Sequence, residues 1–541
     1  MPGYTRREFV AAVGAGTALS LTGTVSAQDS GTPPETTPPK RGHLLYTSDP
    51  SNIAVQQAGH HLGLTRDPRF ARDNPARAED LIDFVDAIAN SGFDSYAQAV
   101  FSQGWTLYHR SPNFEYDARP HHQRFVPMMD AGVVPLQVLI DRTHERGMEF
   151  VAKFRMNDAH GSGKQGANFV TQNQQWWLPE IPGSLDYSIE AVRDFMLAAA
   201  DEIVTRFDVD GLLFNYLRHM HCFPRSVAHQ RQPVMTEFLR RVRRMIDQRA
   251  KEKRKSLSLG VMVPQTMEEC HGLGYDVPTW MREGLVNYVC PSDAGWPDFN
   301  ARYEDYTQYS DAAGCLVYPM VTANLCRGDN ANLLRPENFR ALAQNFYGAG
   351  AHGVTAFNYQ HYWGRRMGID DYPGPPESFQ VALSYLTELK DPQAVVSAIR
   401  HYRFHPLWGG PSWSRYEKND RLVLPRRDGA SKTYRFRMCE GGNTIRAHLY
   451  FTAQGLTPAD IIEVSINGQR IDKFRRVYHA TGRPEKWGRP IPAHSTVFFD
   501  VPPRFLTARD NQLGVTLTRS ATEQDEIVVD EVEVVVEPKT T

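Results

Sequence analysis

From about residue 43 to residue 360 short apolar runs alternate with longer amphipathic ones, the texture of strands separated by helices. The short runs fall at His43–Thr47, Ser95–Phe101, Glu149–Phe154, Gly211–Tyr216, Ser256–Val263, Val286–Cys290, Cys315–Val321 and Gly353–Asn358. Between them apolar positions recur at helical spacing over Ala78–Asn90, Leu136–Arg146, Ile189–Phe207, Val234–Lys253 and Pro336–Ala349. Eight such units suit a closed barrel better than an open doubly wound sheet, and no GxGxxG follows the first strand. The expected fold over residues 42–400 is therefore an α/β (β/α)8 TIM barrel. Beyond residue 400 the helical period disappears. Runs such as Arg421–Leu424, Lys432–Met438, Thr444–Phe451, Ile461–Ile466, Thr496–Val501, Gln512–Thr518 and Glu526–Val536, with turns such as Asn467-Gly468, predict an all-β sandwich, an accessory domain over residues 401–541.

One strand departs from the apolar pattern. Glu149–Phe154 runs straight into Arg155, Asn157, Asp158 and His160, with Gly161 and Gly163 after them. Side chains alternate across a strand, so Phe150, Ala152 and Phe154 share one face while Val151, Lys153, Arg155 and Asn157 share the other. Polar groups at the carboxyl end of a barrel strand are where such folds keep their chemistry. The alternative is a loop with a capping aspartate before two turn glycines. The pattern recurs, however: Asp49 follows the first strand, Gln103 and Trp105 the second, Asn215, Arg218, His219 and His221 the fourth. Gln265, Glu268 and Glu269 follow the fifth, Asp293 and Trp296 the sixth, Asn324 the seventh, and Asn358, Tyr359, His361 and Trp363 the eighth.

A sugar ring has an apolar face and a hydroxyl edge, and aromatic platforms beside planar donors and acceptors meet both. Trp105, Trp296, Tyr359 and Trp363 among those amides and carboxylates fit that description, although each tryptophan alone reads equally as a core filler. The partner expected is a polysaccharide or oligosaccharide substrate. With 60 basic and 62 acidic residues the chain has no global attraction to nucleic acid.

The N-terminus changes the picture. Arg6 and Arg7 precede an apolar run, Val10–Leu21, and Val25-Ser26-Ala27 offers a small-x-small cleavage site. Residues 1–27 read as a twin-arginine export signal, and residues 28–41 as a Pro/Thr-rich linker. The run is too short to span a bilayer, so no stable membrane insertion is expected and the mature protein is periplasmic or extracellular. The cysteines, Cys222, Cys270, Cys290, Cys315, Cys326 and Cys439, lack CxxC or paired spacing, so neither a zinc ribbon nor a disulfide framework is indicated. No cofactor is called for.

The run Arg155–His160, the segment Leu185-Asp186-Tyr187 leading to Arg193, and Phe207–Gly211 ending in Leu217-Arg218-His219 resemble the family-10-like glycoside hydrolases, an exported barrel family. Leu273–Trp280 and Gly350–Tyr359 fit the same pattern. The resemblance covers roughly residues 43 to 370 and implies a TIM barrel, an export signal and a polysaccharide-related substrate. It also exposes a departure: relatives are expected to carry carboxylates within and at the end of the fourth strand, where this chain has Leu213 and Asn215. A glycosidase needs two carboxyl groups about 5 to 9.5 Å apart, so they must come from other strands.

Asp158 is the leading candidate for acid, base or nucleophile, with Asp293 as its partner and Glu268 behind it; Asp49 and Glu269 are also available. Arg155 would hold a carboxylate or a substrate anion, and Asn157 and Asn215 sugar hydroxyls. His219 would hold or protonate the leaving group. His160, Arg218, Trp296, Tyr359 and His361 complete the expected binding residues. Asp208 and Asp210 precede the fourth strand and belong to the far face, where they cap a turn. Two other readings stay open: a sugar-binding protein on a degenerate barrel, and a polysaccharide lyase or metal-assisted hydrolase using the histidines.

Overall fold

The computed structural model describes residues 42–49, 75–159, 165–217, 219–292, 297–322, 335–358, 383–404, 407–408, 418–440, 444–482, 491–522 and 525–539. All belong to one compact unit, Lys40–Thr541. The signal and the linker expected at residues 1–27 and 28–41 lie outside the described residues.

A single curled sheet of parallel strands dominates the first part of the chain: β1 (His43–Ser48), β2 (Ser95–Ser102), β3 (Glu149–Arg155), β4 (Gly211–Asn215), β5 (Ser258–Pro264), β6 (Tyr288–Ser292), β7 (Leu316–Val317), β8 (Met320–Val321) and β9 (Gly353–Phe357). Their order is β7-β6-β5-β4-β3-β2-β1-β9-β8. The strand expected at Cys315–Val321 is thus two short ones. Leu316 and Val317 pair with Tyr288 and Val289, whereas Met320 and Val321 pair with Thr355 and Ala356. Pro319 between them has no N–H to give to a ladder, and each half serves one neighbour. The two ends of the sheet are therefore consecutive in the chain.

Helices α1 (Ala78–Asn90), α2 (Pro135–Glu145), α3 (Glu190–Arg206), α4 (Gln232–Lys253), α5 (Met267–Gly272), α6 (Val277–Arg282) and α7 (Pro336–Gly348) alternate with the strands. In α1 the Asp80 carboxylate accepts from the Arg77 amide at 3.0 Å and satisfies a donor at the helix start. Leu81, Phe84, Val85 and Ile88, at helical spacing, form its buried face. Phe84 meets Tyr46 of β1 and Tyr96 of β2, ring centroids 6.2 and 6.0 Å away. Burying each such side chain stabilises the fold by about 1.5–3 kcal/mol.

The alternation expected in β3 is present. Phe154 stacks on Phe101 of β2 at 5.5 Å and meets Phe214 of β4 at 5.8 Å, and Phe214 lies 6.1 Å from Phe238 of α4. That row faces the helices, and Lys153 and Arg155 turn to the other side of the sheet. At the amino ends of the strands, Asp210 accepts from the Phe150 amide and from His144 Nε2, both at 2.8 Å, with Lys255 Nζ also 2.8 Å away. This carboxylate braces the turn into β4, the structural role anticipated for it.

The second part consists of antiparallel strands: β10 (Arg400–Phe404), β11 (Leu422–Leu424), β12 (Ala430–Arg437), β13 (Thr444–Gln454), β14 (Ile461–Ile466), β15 (Gln469–Arg470), β16 (Arg475–His479), β17 (His494–Val501), β18 (Asp510–Arg519) and β19 (Ile527–Pro538). One sheet runs β10-β19-β13-β17-β16 with β11 also on β19, and the other runs β12-β18-β14-β15. Asn467 and Gly468, at φ 50° and 79°, turn β14 into β15, as their dipeptide suggested.

The two parts share a continuous core. Phe299 lies 6.5 Å from Tyr402 and 6.3 Å from Phe404. At Gly348 the approach is so close that a Cβ would stand 2.2 Å from that of Cys439. Cys222, Cys270, Cys290, Cys315 and Cys439 are free thiols in the interior. Burial pushes the Cys222 and Cys290 thiols up to about 12, so they pack as small hydrophobes. No helix among the described residues is long and apolar enough to cross a membrane.

Candidate functional site

The polar end of β3 gathers charge from several strands. Arg155 is the centre: Nη2 lies 2.7 Å from Asp49 Oδ2 and Nη1 2.7 Å from Asp158 Oδ2. Two residues earlier on the same face, Lys153 Nζ lies 3.5 Å from Asp49 Oδ1 and 5.0 Å over the Phe357 ring. Ser102, the last residue of β2, donates to Asp158 Oδ2 at 2.6 Å. His219 Nε2 stands 3.7 Å from Asp158 Oδ1.

Asp49 is held in turn by the end of β9. Its amide donates to Asn358 Oδ1 at 2.8 Å, and Asn358 Nδ2 donates to its carboxylate at 2.6 Å. Gln98 Nε2 reaches the Asp49 carbonyl at 3.3 Å. Asn358 adopts φ 45°, a left-handed conformation that asparagine tolerates better than most residues. Backbone strain of this kind gathers where a site must be held in one geometry.

Two cations and two carboxylates thus stand together almost without water. The side chains of Lys153 and Asp158 are 0% exposed, and those of Arg155 and Asp49 6% and 7%. Burial works against the Arg155 charge, but Asp49 and Asp158 outweigh it and push its pKa up. Nearby His122 is held well below the ordinary histidine range, by burial first and then by Arg119, His121 and Arg155. An interior this charged is stable only while every member keeps its partner. In register, Lys153 lies beside Leu213 and Arg155 beside Asn215, so the positions where relatives are expected to carry carboxylates adjoin these two cations. Asp49, directly after β1, pairs with both of them.

Of the residues singled out from the sequence, Asp158, Arg155 and His219 are brought together. Asn157 is adjacent but differently engaged: Nδ2 donates to the carbonyls of Leu185 and His221, and Oδ1 accepts from the Leu185 amide, all at 2.8 Å. Its side chain is a brace between loops. Asn215 is likewise buried and accepts from the Leu217 amide at 2.9 Å. Glu268 is exposed in the first turn of α5, which Thr266 caps by accepting from the Glu269 amide at 3.2 Å. Among the described residues it makes no hydrogen bond or ion pair with the cluster. Trp105 is buried under Arg119, whose guanidinium lies 5.6 Å from the ring centroid, and so packs inside the fold. Asp293, His160, Arg218, Trp296, Tyr359 and His361 lie outside the described residues, as do Trp363 and Asn324. No group of three or more His, Cys, Asp or Glu among the described residues is gathered as metal ligands would be.

Sequence reasoning gave Lys153 and Ser102 no part in the site, placed Asn358 at a strand end without a role, and ranked Asp49 low. A lysine inside an apolar strand, in phase with Arg155, was the available signal: two buried cations require carboxylates, and Asp49 is the first acid at a strand end.

Residues 64–232 match the family model described as glycosyl hydrolase-like 10. None of the curated proteins compared matches the chain. Among solved structures, it is similar to the endo-beta-1,4-mannanase from Thermotoga petrophila, with 11% identity over 92% of this chain and 97% of that one and a TM-score of 0.40. Alpha-L-fucosidase isoenzyme 1 from Paenibacillus thiaminolyticus gives 12% identity over 88% and 97%, with a TM-score of 0.36. A cycloisomaltooligosaccharide glucanotransferase from Paenibacillus sp., in complex with cycloisomaltoheptaose, gives 9% identity and a TM-score of 0.34 over 91% of this chain, which spans 57% of that enzyme's length. Likenesses this distant bear on neither substrate nor mechanism. The stretch 64–232, which holds Arg155, Asp158 and His219, is glycosyl hydrolase-like, as the resemblance read from the sequence implied.

Proposed function

We propose that this protein is an exported carbohydrate-active enzyme that cleaves glycosidic bonds at the carboxyl end of a closed (β/α)8 barrel, with the antiparallel sheets stacked as an accessory sandwich. The observation that carries the reading is the buried bridge Asp158–Arg155–Asp49 with Ser102 and His219 against it, at strand ends within a glycosyl hydrolase-like segment. Asp158 is the working carboxylate, base or nucleophile. Arg155 fills the space between Asp158 and Asp49, so Asp49 is a positioning residue and the second carboxylate stands elsewhere. In a ring of eight strands, β3 and β6 are three apart and their ends face each other across the mouth. Asp293, which directly follows β6, is the partner, and His219 moves the proton at Asp158.

A second reading has an observation of its own: both Asp158 oxygens are engaged, and Leu213 and Asn215 stand where carboxylates are expected in relatives. That arrangement favours a barrel that binds sugar without cleaving it. A panel of polysaccharides incubated with the protein, with and without a chelator, separates the readings. Reducing ends released in both conditions support hydrolysis. Binding without products establishes the second reading, unsaturated products a lyase, and loss of activity with chelator a metal-assisted reaction. Export by the twin-arginine route belongs to the same proposal: Arg6→Lys with Arg7→Lys retains the precursor inside the cell, and normal export of that double variant would refute the route.

A further inference from the structure

Where the start of α7 meets the sheet β10-β19-β13-β17-β16, a polar trough opens along the sheet. In β17 the burial alternates, with Val497, Phe499 and Val501 in the core and Phe498 and Asp500 outside. Phe498 is 38% exposed, and its ring centroid lies 6.1 Å from that of Tyr450 on the neighbouring strand β13. An exposed phenylalanine by itself is unremarkable on a surface. Here it stands beside a fixed polar network. Glu533 of β19 takes His401 Nε2 at 2.6 Å and Arg403 Nε at 3.1 Å, and accepts from the Tyr450 hydroxyl. That hydroxyl is also 3.0 Å from His401 Nε2. Burial would raise the Glu533 carboxyl, but Arg403, His401 and Tyr450 hold it down at about 2. The floor is thus a carboxylate held by three neighbours.

Above it lies a groove of about 310 Å³, reached also by Asn338, Thr452 and Glu531. A second groove, about 580 Å³, continues past Tyr450 and Phe498 to Phe474 and His448. Ligand sites typically occupy about 300–1,000 Å³, and two adjoining grooves that share one pair of rings make a trough suited to an extended chain. Its charges nearly cancel, Arg335 and Arg403 against Glu531 and Glu533 in the first groove and Lys473 and Arg475 against Asp500 in the second. A polyanion gains nothing from such a balance. An uncharged chain with an apolar face for the rings and hydroxyls for the amide, hydroxyl and carboxylate groups fits both aspects.

We infer that this face is a second saccharide-binding site, sharing no lining residue with the Asp158 cluster and specific for a neutral oligosaccharide chain laid across Phe498 and Tyr450. It does not rest on the reading of the barrel as a catalyst. The test is calorimetric titration of the full chain with cellohexaose, mannohexaose, maltohexaose and xylohexaose, with hexagalacturonate as the charged control. At least one neutral hexasaccharide should bind. Phe498→Ala should weaken that binding tenfold or more, Phe498→Tyr should retain it, and both variants should melt with the parent. The inference is overturned if no neutral hexasaccharide binds, if only hexagalacturonate does, or if Asp158→Asn removes the binding while Phe498→Ala does not.

Discussion

The two ends of the parallel sheet hold the same kinds of residue and use them differently. At the amino end, Asp210 meets a histidine, a lysine and the Phe150 amide, and its side chain is 22% exposed. Burial would raise its carboxyl, but hydrogen bonds from Lys255, His144 and that amide keep it below the usual range. It ties backbone to backbone. At the carboxyl end, Asp158 meets an arginine, a serine hydroxyl and a histidine, and its side chain is fully buried. A buried ion pair is weak ground for stability, since apolar residues of similar volume do as well or better. A carboxylate that braces a turn has a structural reason to be there; one buried among side chains at the mouth of the sheet calls for a chemical one.

The comparison breaks first on turnover. Asp158→Asn should lower hydrolysis of the best substrate by two to four orders of magnitude, the range of general acid–base catalysis, while Asp210→Asn should stay within about twofold because it lies at the far end of the strands. Equal losses, measured as kcat/KM with the melting temperature alongside, would end the distinction.

Next in size is stability. Arg155→Met leaves Asp158 buried without its arginine and Asp49 with Lys153 alone, and should cost about 3–5 kcal/mol in urea unfolding. A variant as stable as the parent would mean that water already reaches the cluster.

A third effect is set by pH and belongs to neither end. His109, packed against Phe207 at 5.1 Å, is pushed down to about 4 by burial. Its contribution is complete above about pH 6.5. As pH falls from there to about 4 the unfolded chain takes up a proton that the folded one refuses, and up to about 3 kcal/mol is lost. Urea midpoints at pH 4.5 and 7 should differ, and His109→Gln should narrow that difference; an unchanged gap would locate the acid sensitivity elsewhere.

The smallest effect sharpens the structural side. Asp210→Asn should cost about 1–2 kcal/mol, the loss of charge-assisted hydrogen bonds in a partly wet place.

Where a period governed the chain, the fold was readable. Ala78–Asn90 and Ile461–Ile466 begin and end where their patterns do, because one buried face and a Gly or Pro boundary specify an element locally. The split at Pro319 was not readable, since periodicity gives a strand but not the number of neighbours it serves. In the site, the phase of β3 placed Lys153 and Arg155 on one face with no partner in view. What stayed hidden was pairing: Asp49 lies far back in the chain, and nothing near Asn157 announces that the carbonyls of Leu185 and His221 come to meet it.

The six residues from Leu316 to Val321 also set how the molecule comes apart. The sheet's other parallel neighbours pair over four or more residues, whereas this junction holds by two on each side, helped by the amide of Tyr318 to Val289 and that of Thr355 to Pro319, both at 2.9 Å. Native-state hydrogen exchange should therefore find its earliest opening at the amides of Val317, Tyr318 and Val321. Where β7 and β8 lift away, the β6 and β9 edges of the curled sheet are bared, and bare edges template pairing with another copy. Aggregation on storage should therefore start at Pro319, with the rest of the core still folded.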